Sequence, residues 1–282
     1  MIHSEKAYGK INLAMNILGR RPDGYHEVDT VYQSVSLHDD ILFEASQTFR
    51  LTCSRDDLVC DETNLAYKAY TALLSFCDGP RPLHIHIDKH IPVAAGLAGG
   101  SADCAAVLRG LNRLWKLGLS SDTLRKIGRA LGADVPFCIN GGIARAGGIG
   151  EILVPLAPLP QWQVIILHPP VPVHTDKAYV LFDKASGLAG TDVGEMTAAV
   201  ASKSFARVCG AMSNTFETLI MPHVPAVGEC MNLLTRRGLR PLMTGSGPTV
   251  FALVPSDTDG EELAAAIENE TKTTEVILTT LQ

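Results

Sequence analysis

Apolar and polar residues alternate along Lys10–Leu18 and again along Leu83–Ile87, the period of a strand with one buried face. Leu83, Ile85 and Ile87 are expected to face inward, and Thr30–Leu37 and Asp40–Ala45 read as two further short strands. Arg20–Gly24 is a turn by composition. A different period governs Asn64–Phe76, where Leu65, Ala69, Ala72, Leu73 and Phe76 fall on one side of a helix. Helical spacing returns at Cys104, Val107, Leu108, Leu111 and Trp115, with Ser101 and Asp103 suited to the helix start. Ser121–Leu131 predicts another helix, stopped at Gly132.

Gly141–Gly150 is rich in glycine, and Leu156–Gln161, with two prolines, is the best linker. Beyond it the pattern predicts a strand at Trp162–Leu167, an irregular Pro169–Pro172, and helices near 176–186, 214–221 and 225–237. Leu242–Val254 reads as two short strands around a Thr-Gly-Ser-Gly-Pro turn, followed by a helix at Gly260–Asn269 and a strand at Glu275–Thr279. Strand, helices, strand, strand, helix, strand is the order of a ferredoxin-like α+β sandwich.

A chain of 282 residues is long enough for two moderate cores, expected at 1–157 and 158–282. Its net charge of −6, with no basic run, argues against a general binder of nucleic acid or of membrane surfaces. A polyphosphate ligand would have to be held by local devices: helix ends, a lysine, a metal ion. Seven cysteines include no Cys-x-x-Cys pair, which disfavours a disulfide framework or a zinc site. Without an apolar leader or a membrane-length apolar run, a reducing cytoplasm is the expected location.

The stretch Pro92–Ala106 is the most informative. Gly96, Gly99 and Gly100 allow tight bends and close approach to a ligand. The helix that follows would offer unpaired N–H groups and a positive dipole end to phosphate. Its spacing matches neither Gly-x-x-x-x-Gly-Lys-Ser/Thr nor Gly-x-Gly-x-x-Gly. Lys10 and Asn12 share one strand face, which on its own more simply marks a solvent-facing edge. Asp134 follows a helix end beside Pro136 and would, taken alone, cap a turn. Tyr25 and His26 ride on the turn after Arg21, where a planar base could stack on one and be read by the other. Thr244–Thr249 would suit either a plain hairpin or a second backbone nest for anions. His84, His86 and Asp88 share a strand face but gain no further ligand, so a solvated face is expected there. No Gly-x-Ser-x-Gly elbow supports a serine hydrolase.

Three segments in order carry a family resemblance: Lys10–Leu13, Pro92–Ala106 with its Gly-Leu-Ala-Gly-Gly-Ser core, and Met243–Phe251 with Thr-Gly-Ser-Gly-Pro-Thr. With Gly132-Ala-Asp134-Val-Pro136-Phe, they resemble the GHMP small-molecule kinase family over most of the chain. The resemblance implies an α+β two-domain fold, the N-terminal domain like the second domain of ribosomal protein S5 and the C-terminal one ferredoxin-like. It implies ATP as co-substrate with Mg²⁺, phosphoryl transfer to an alcohol, Asp134 as base, and Lys10 as the residue that keeps Asp134 ionised and orients the hydroxyl. The ATP site would comprise Pro92, Val93, Ala94, Ala95, Gly96, Leu97, Ala98, Gly99, Gly100, Ser101 and Ala102, with Asn64 near the adenine and Ser101 reaching the metal.

Asp23-Gly-Tyr25-His26 is similar to the cytidine-reading turn of one branch of the family. The implied substrate is then a small alcohol bearing a cytidine diphosphate group. Asn12, Tyr25, His26, Tyr32 and Tyr179 would line its site, Tyr179 as a second stacking aromatic and Tyr32 closing the pocket. A mevalonate-type or homoserine kinase, or a catalytically silent nucleotide-binding module, is the competing expectation; the oligomeric state expected is monomer or weak homodimer. The chain departs from the family pattern at Ala98 (usually Gly), Ala102 (often Ser) and Gly147 (commonly acidic or polar).

Overall fold

The computed structural model describes residues 3–188 and 190–282. In chain order the first elements are β1 (His3–Arg20), β2 (His26–Ala45), β3 (Arg50–Cys53), α1 (Leu65–Leu74), β4 (Leu83–Asp88), α2 (Gly99–Leu114), α3 (Ser121–Leu131) and α4 (Val135–Asn140). They are followed by β5 (Ile143–Gly147), β6 (Ile152–Pro155), β7 (Gln163–His168), α5 (Thr175–Lys184), α6 (Val193–Ser202), α7 (Phe205–Ala211) and β8 (Ser213–Asn214). The last are α8 (Thr215–Ile220), α9 (Pro225–Thr235), β9 (Pro241–Met243), β10 (Val250–Leu253), α10 (Gly260–Glu268) and β11 (Glu275–Thr280).

The chain forms two compact units that interleave along it. One holds Met1–Gly9, Leu37–Val93 and Ala98–Gly141; the other holds Lys10–Ser36, Ala94–Leu97 and Gly142–Gln282.

In the first unit β4 pairs antiparallel with Asp40–Ala45 of β2 and parallel with β3. Leu83, Ile85 and Ile87 are buried as their alternation predicts, with Phe43, Leu73, Leu108 and Phe137 in the same unit's buried set. Burying one such side chain is worth ~1.5–3 kcal/mol. α3 begins on the Ser120 hydroxyl, which accepts from the Thr123 N–H at 3.2 Å, and ends at Gly132.

In the second unit β7, β9, β10 and β11 form an antiparallel sheet in the order β11-β7-β10-β9, the ferredoxin-like arrangement read from the element order. Ile165, Leu167, Val250 and Ala252 from this sheet share a core with Phe216, Val227 and Leu234 from the helices. β5 pairs with β2 at residues 30–33, and β8 runs parallel to β1 at residues 14–15.

Several expectations need correction. Thr30–Leu37 and Asp40–Ala45 are one strand, β2, because no glycine or proline interrupts the residues between them and Asp39 keeps its polar side chain fully bonded in a buried site. α2 starts at Gly99, with left-handed Ala98 in the cap position. Ser101 therefore lies in its first turn and Asp103 inside it. The histidines of β4 do not form a solvated face: Thr52 Oγ1 bonds His84 at 2.7 Å and His86 at 2.8 Å, and Glu44 bonds His84 at 3.1 Å. Elements β3, α4, β5, β6, α6, α7 and β8 have no counterpart among the predicted ones. All seven cysteines are free thiols. Among the described residues no helix is long and apolar enough to cross a membrane.

Candidate active site

In the second unit three sequence motifs meet. Lys10 and Asn12 are buried in β1, so the solvent-facing edge is excluded. Lys10 Nζ donates to Asn12 Oδ1 at 2.8 Å and lies 4.9 Å from the centre of the Tyr32 ring, a cation–π contact. Asn12 is held through its backbone N–H and both polar atoms of its side chain. Its N–H donates to Thr244 Oγ1 at 3.0 Å, its Nδ2 to Thr30 Oγ1 at 2.8 Å, and its Oδ1 also accepts from Thr244 Oγ1 at 3.3 Å. The amide thereby fixes where the Lys10 ammonium sits.

The tip of the glycine-rich loop joins this cluster. The Lys10 N–H donates to the Leu97 carbonyl at 3.0 Å, and Gly96 has φ +74°. A Cβ at Gly96 would stand 2.6 Å from the Thr244 carbonyl oxygen, so only glycine fits between loop and hairpin. The hairpin is closed by the Thr244 N–H to the Thr249 carbonyl at 3.0 Å and braced by Asn214 Nδ2, which donates to the carbonyls of Met243 at 2.6 Å and Gly245 at 2.8 Å.

The same unit holds the Tyr25–His26 turn. Asp23 Oδ1 accepts from the Tyr25 N–H at 3.1 Å, and Arg21 donates to Glu27 at 2.6 Å. Tyr25 is 61% exposed, an uncovered aromatic face, whereas His26 is buried. The His26 ring stacks on Tyr179 at 4.4 Å and 16°, and its Nε2 bonds Asp183 Oδ1 at 2.7 Å. Tyr179 therefore supports His26 directly.

In the first unit the remaining candidates cluster around the start of α2. The N–H groups of Gly99, Gly100 and Ser101, in its first turn, have no acceptor within the helix. Ala98 holds φ +59°, which turns the chain into that helix. A Cβ on Gly132 would lie 3.7 Å from Ser101 Oγ and 3.8 Å from Leu65, so the helix starts of α1 and α2 and the segment leading to Asp134 are neighbours. Asp134 is the residue preceding α4, with Pro136 in the first turn, and its side chain makes no capping bond there. Asn64 caps α1: its Oδ1 accepts from the Ala66 N–H at 2.9 Å and its Nδ2 donates to the Val59 carbonyl at 2.8 Å. Ala102 is buried one residue beyond Ser101.

Beneath this helix start Lys89 joins two buried carboxylates. Its Nζ donates to Asp39 Oδ2 and, at 2.9 Å, to Asp103 Oδ2, while Asp39 Oδ1 accepts the N–H groups of His90 and Ile91 at 2.6 and 2.8 Å. Burial pushes the Asp103 carboxyl up to about 8 even though Lys89 pulls the other way. Lys89 and Asp183 were not singled out by sequence. Lys89, a lone cation three residues before the loop's Pro92, is the one the sequence could have offered.

A helix start with open N–H groups in the first unit and a buried lysine held by an amide in the second are each of a kind that phosphoryl transfer uses. Residues 64–142 match the model of the GHMP kinases N terminal domain and residues 196–272 that of the GHMP kinases C terminal domain. The chain belongs to the GHMP kinase family. It is 44% identical over 258 residues to the 4-diphosphocytidyl-2-C-methyl-D-erythritol kinase of Brevibacillus brevis, covering 90% of this chain and 88% of that protein. The enzyme of the same name from Caldicellulosiruptor bescii is 38% identical, over 98% and 96% of the two chains. A solved 4-(cytidine 5'-diphospho)-2C-methyl-D-erythritol kinase superposes with a TM-score of 0.82 at 31% identity, covering 99% of each chain. A homoserine kinase from Cytophaga hutchinsonii, at TM-score 0.74 and 20% identity, shares the fold.

Proposed function

We propose that this chain transfers the γ-phosphoryl group of ATP to the 2-hydroxyl of 4-diphosphocytidyl-2-C-methyl-D-erythritol, in the non-mevalonate route to isoprenoid precursors. The observation that carries the reading is the Asp23–His26 turn: an uncovered Tyr25 face beside a buried, ring-fixed His26 suits a planar pyrimidine. The relatives named for that substrate support it at 38–44% identity.

In this reading Asp134 accepts the proton of the attacking hydroxyl, and Lys10, held by Asn12, orients that hydroxyl. A base in that role is worth ~10²–10⁴-fold. Pro92–Ala102 wraps the ATP phosphates, with the N–H groups of Gly99, Gly100 and Ser101 as donors. Asn64 acts near the adenine by shaping the α1 start, since both ends of its amide are engaged. Mg²⁺ would neutralise charge on the transferring phosphates. Among the described residues no three acidic, His or Cys side chains gather as a metal cage, a donor set suited to a cation carried on phosphate oxygens with Ser101 Oγ as a protein ligand. Tyr25 stacks on cytosine, His26 reads its edge, and Tyr32 and Tyr179 complete the wall. Residues 1–157 and 158–282 serve as the two domains of a cytoplasmic monomer or weak homodimer.

ATP turnover with the cytidine diphosphate alcohol, mevalonate, phosphomevalonate and homoserine, each offered alone, tests the proposal. Turnover of the first only is expected. Phosphorylation of mevalonate or homoserine instead, or of none of the four, overturns it.

A further inference from the structure

Asp183 lies 157 residues from His26 in sequence and at the carboxyl end of α5. Tyr179, Phe182 and Asp183 stand at helix positions i, i+3 and i+4, which share one face. All three meet the His26 ring. Tyr179 stacks on it, Phe182 meets it edge-on at 5.8 Å and 88°, and Asp183 Oδ1 bonds Nε2 at 2.7 Å. The two aromatics fix the plane of the ring and the carboxylate fixes its rotation. Arg20 Nη1 lies 3.8 Å from Asp183 Oδ2, a loose ion pair on the other carboxylate oxygen.

A carboxylate only accepts, so Nε2 must carry the hydrogen of this bond. In the neutral imidazole Nδ1 is then left as an acceptor. The pyrimidine edges differ in polarity: cytosine carries an amino donor at its 4-position, where uracil carries a carbonyl acceptor. An acceptor aimed at that position bonds the amine and leaves the carbonyl facing a lone pair, which discriminates by repulsion as well as by attraction.

We propose that Asp183 is a positioning residue that sets the hydrogen-bond polarity of His26, directing Nδ1 at the 4-amino group and so selecting cytidine over uridine diphosphate alcohols. This rests on the kinase reading above.

The test compares kcat/KM for the cytidine alcohol with that for its uridine counterpart in wild type, Asp183→Asn and Asp183→Leu. The Asn carbonyl can accept the same N–H, so that variant keeps the wild-type ratio within about threefold. In the Leu variant the ratio falls by about tenfold, the worth of one hydrogen bond, through KM for the alcohol with KM for ATP unmoved. ¹⁵N spectra of the His26 ring give a second readout. Nε2 protonated and Nδ1 bare is expected in wild type and Asp183→Asn, with mixed tautomers in Asp183→Leu. An unchanged ratio in the Leu variant, or a wild-type ring protonated at Nδ1, overturns the role of Asp183 while leaving the kinase reading intact. Absence of turnover of the cytidine alcohol by wild type overturns both.

Discussion

Lys89 donates to Asp103 Oδ2 at 2.9 Å, and the second oxygen of that carboxylate, Oδ1, is buried without a hydrogen-bond partner. Two carboxylates share one ammonium here, because Asp39 takes the same Lys89 and two backbone N–H groups besides. Burial therefore outweighs the attraction of Lys89 and lifts the Asp103 carboxyl from 3.8 to about 8. Between those values the folded state binds more protons than the unfolded one. The contribution to stability is complete below about pH 4 and is lost as pH rises to about 8. Urea unfolding from pH 5 to 8 should show stability falling with pH, by at most about 1.4 kcal/mol per unit from this group. Asp103→Asn should flatten that slope, and parallel profiles for the two proteins would contradict the assignment.

Lys10 and Asp134 carry the chemistry in the proposed mechanism. Asp134→Asn removes the proton acceptor while keeping the size and shape of the side chain, so turnover should drop ~10²–10⁴-fold with little change in the unfolding midpoint. Lys10→Ala should lose turnover comparably. It also removes the donor to Asn12 and costs about 1 kcal/mol of stability. Steady-state kinetics beside urea unfolding separates the two effects. Near-normal turnover in both variants would remove these residues from the mechanism.

The glycine-rich loop, the paired Lys10 and Asn12 and the ferredoxin-like order were legible because each is a local pattern: a spacing, a strand period, a sequence of elements. What escaped depends on partners far along the chain. Lys89 meets Asp39 across 50 residues and Asp183 meets His26 across 157, and neither separation leaves a periodic trace. The break read between Leu37 and Asp40 reflects a buried aspartate, whose polarity imitates a turn until His90 and Ile91 are seen to satisfy it. α6 did carry a local signal. Asp192 accepts from the Glu195 N–H at 3.1 Å, a cap readable from their three-residue spacing, but the apolar residues that follow show no clear face.

Gly96 and Gly147 should respond very differently to a side chain. Gly96 combines φ +74° with only 2.6 Å between a Cβ and the Thr244 carbonyl oxygen, so Gly96→Ala must push loop and hairpin apart. A loss of about 2 kcal/mol or more in stability is expected, with a raised KM for ATP. At Gly147 the nearest atom to a Cβ is the Val28 carbonyl oxygen at 4.0 Å. Gly147→Ser, toward the family pattern, should therefore stay within about 0.5 kcal/mol of wild type in unfolding experiments. Equal losses in the two variants would mean that the contact with Thr244 is not what demands glycine.

Ala98 sits where a left-handed backbone has a measurable cost. It caps α2 at φ +59° and ψ +29°, the left-handed region, which costs an L-residue roughly 1–2 kcal/mol. Glycine adopts it freely but loses more entropy on folding, roughly 0.5–1 kcal/mol relative to alanine. The balance favours glycine, so Ala98→Gly should stabilise the protein by about 0.5–1 kcal/mol in urea unfolding. Ala98→Val should move it the other way, by more than that, because a β-branched side chain tolerates the left-handed region least. The first turn of α2 presents its N–H groups directly after this residue, so relaxing the cap should lower KM for ATP or leave it unchanged, with kcat unaffected. A loss of stability in Ala98→Gly would show that the methyl group contributes packing that outweighs its backbone strain.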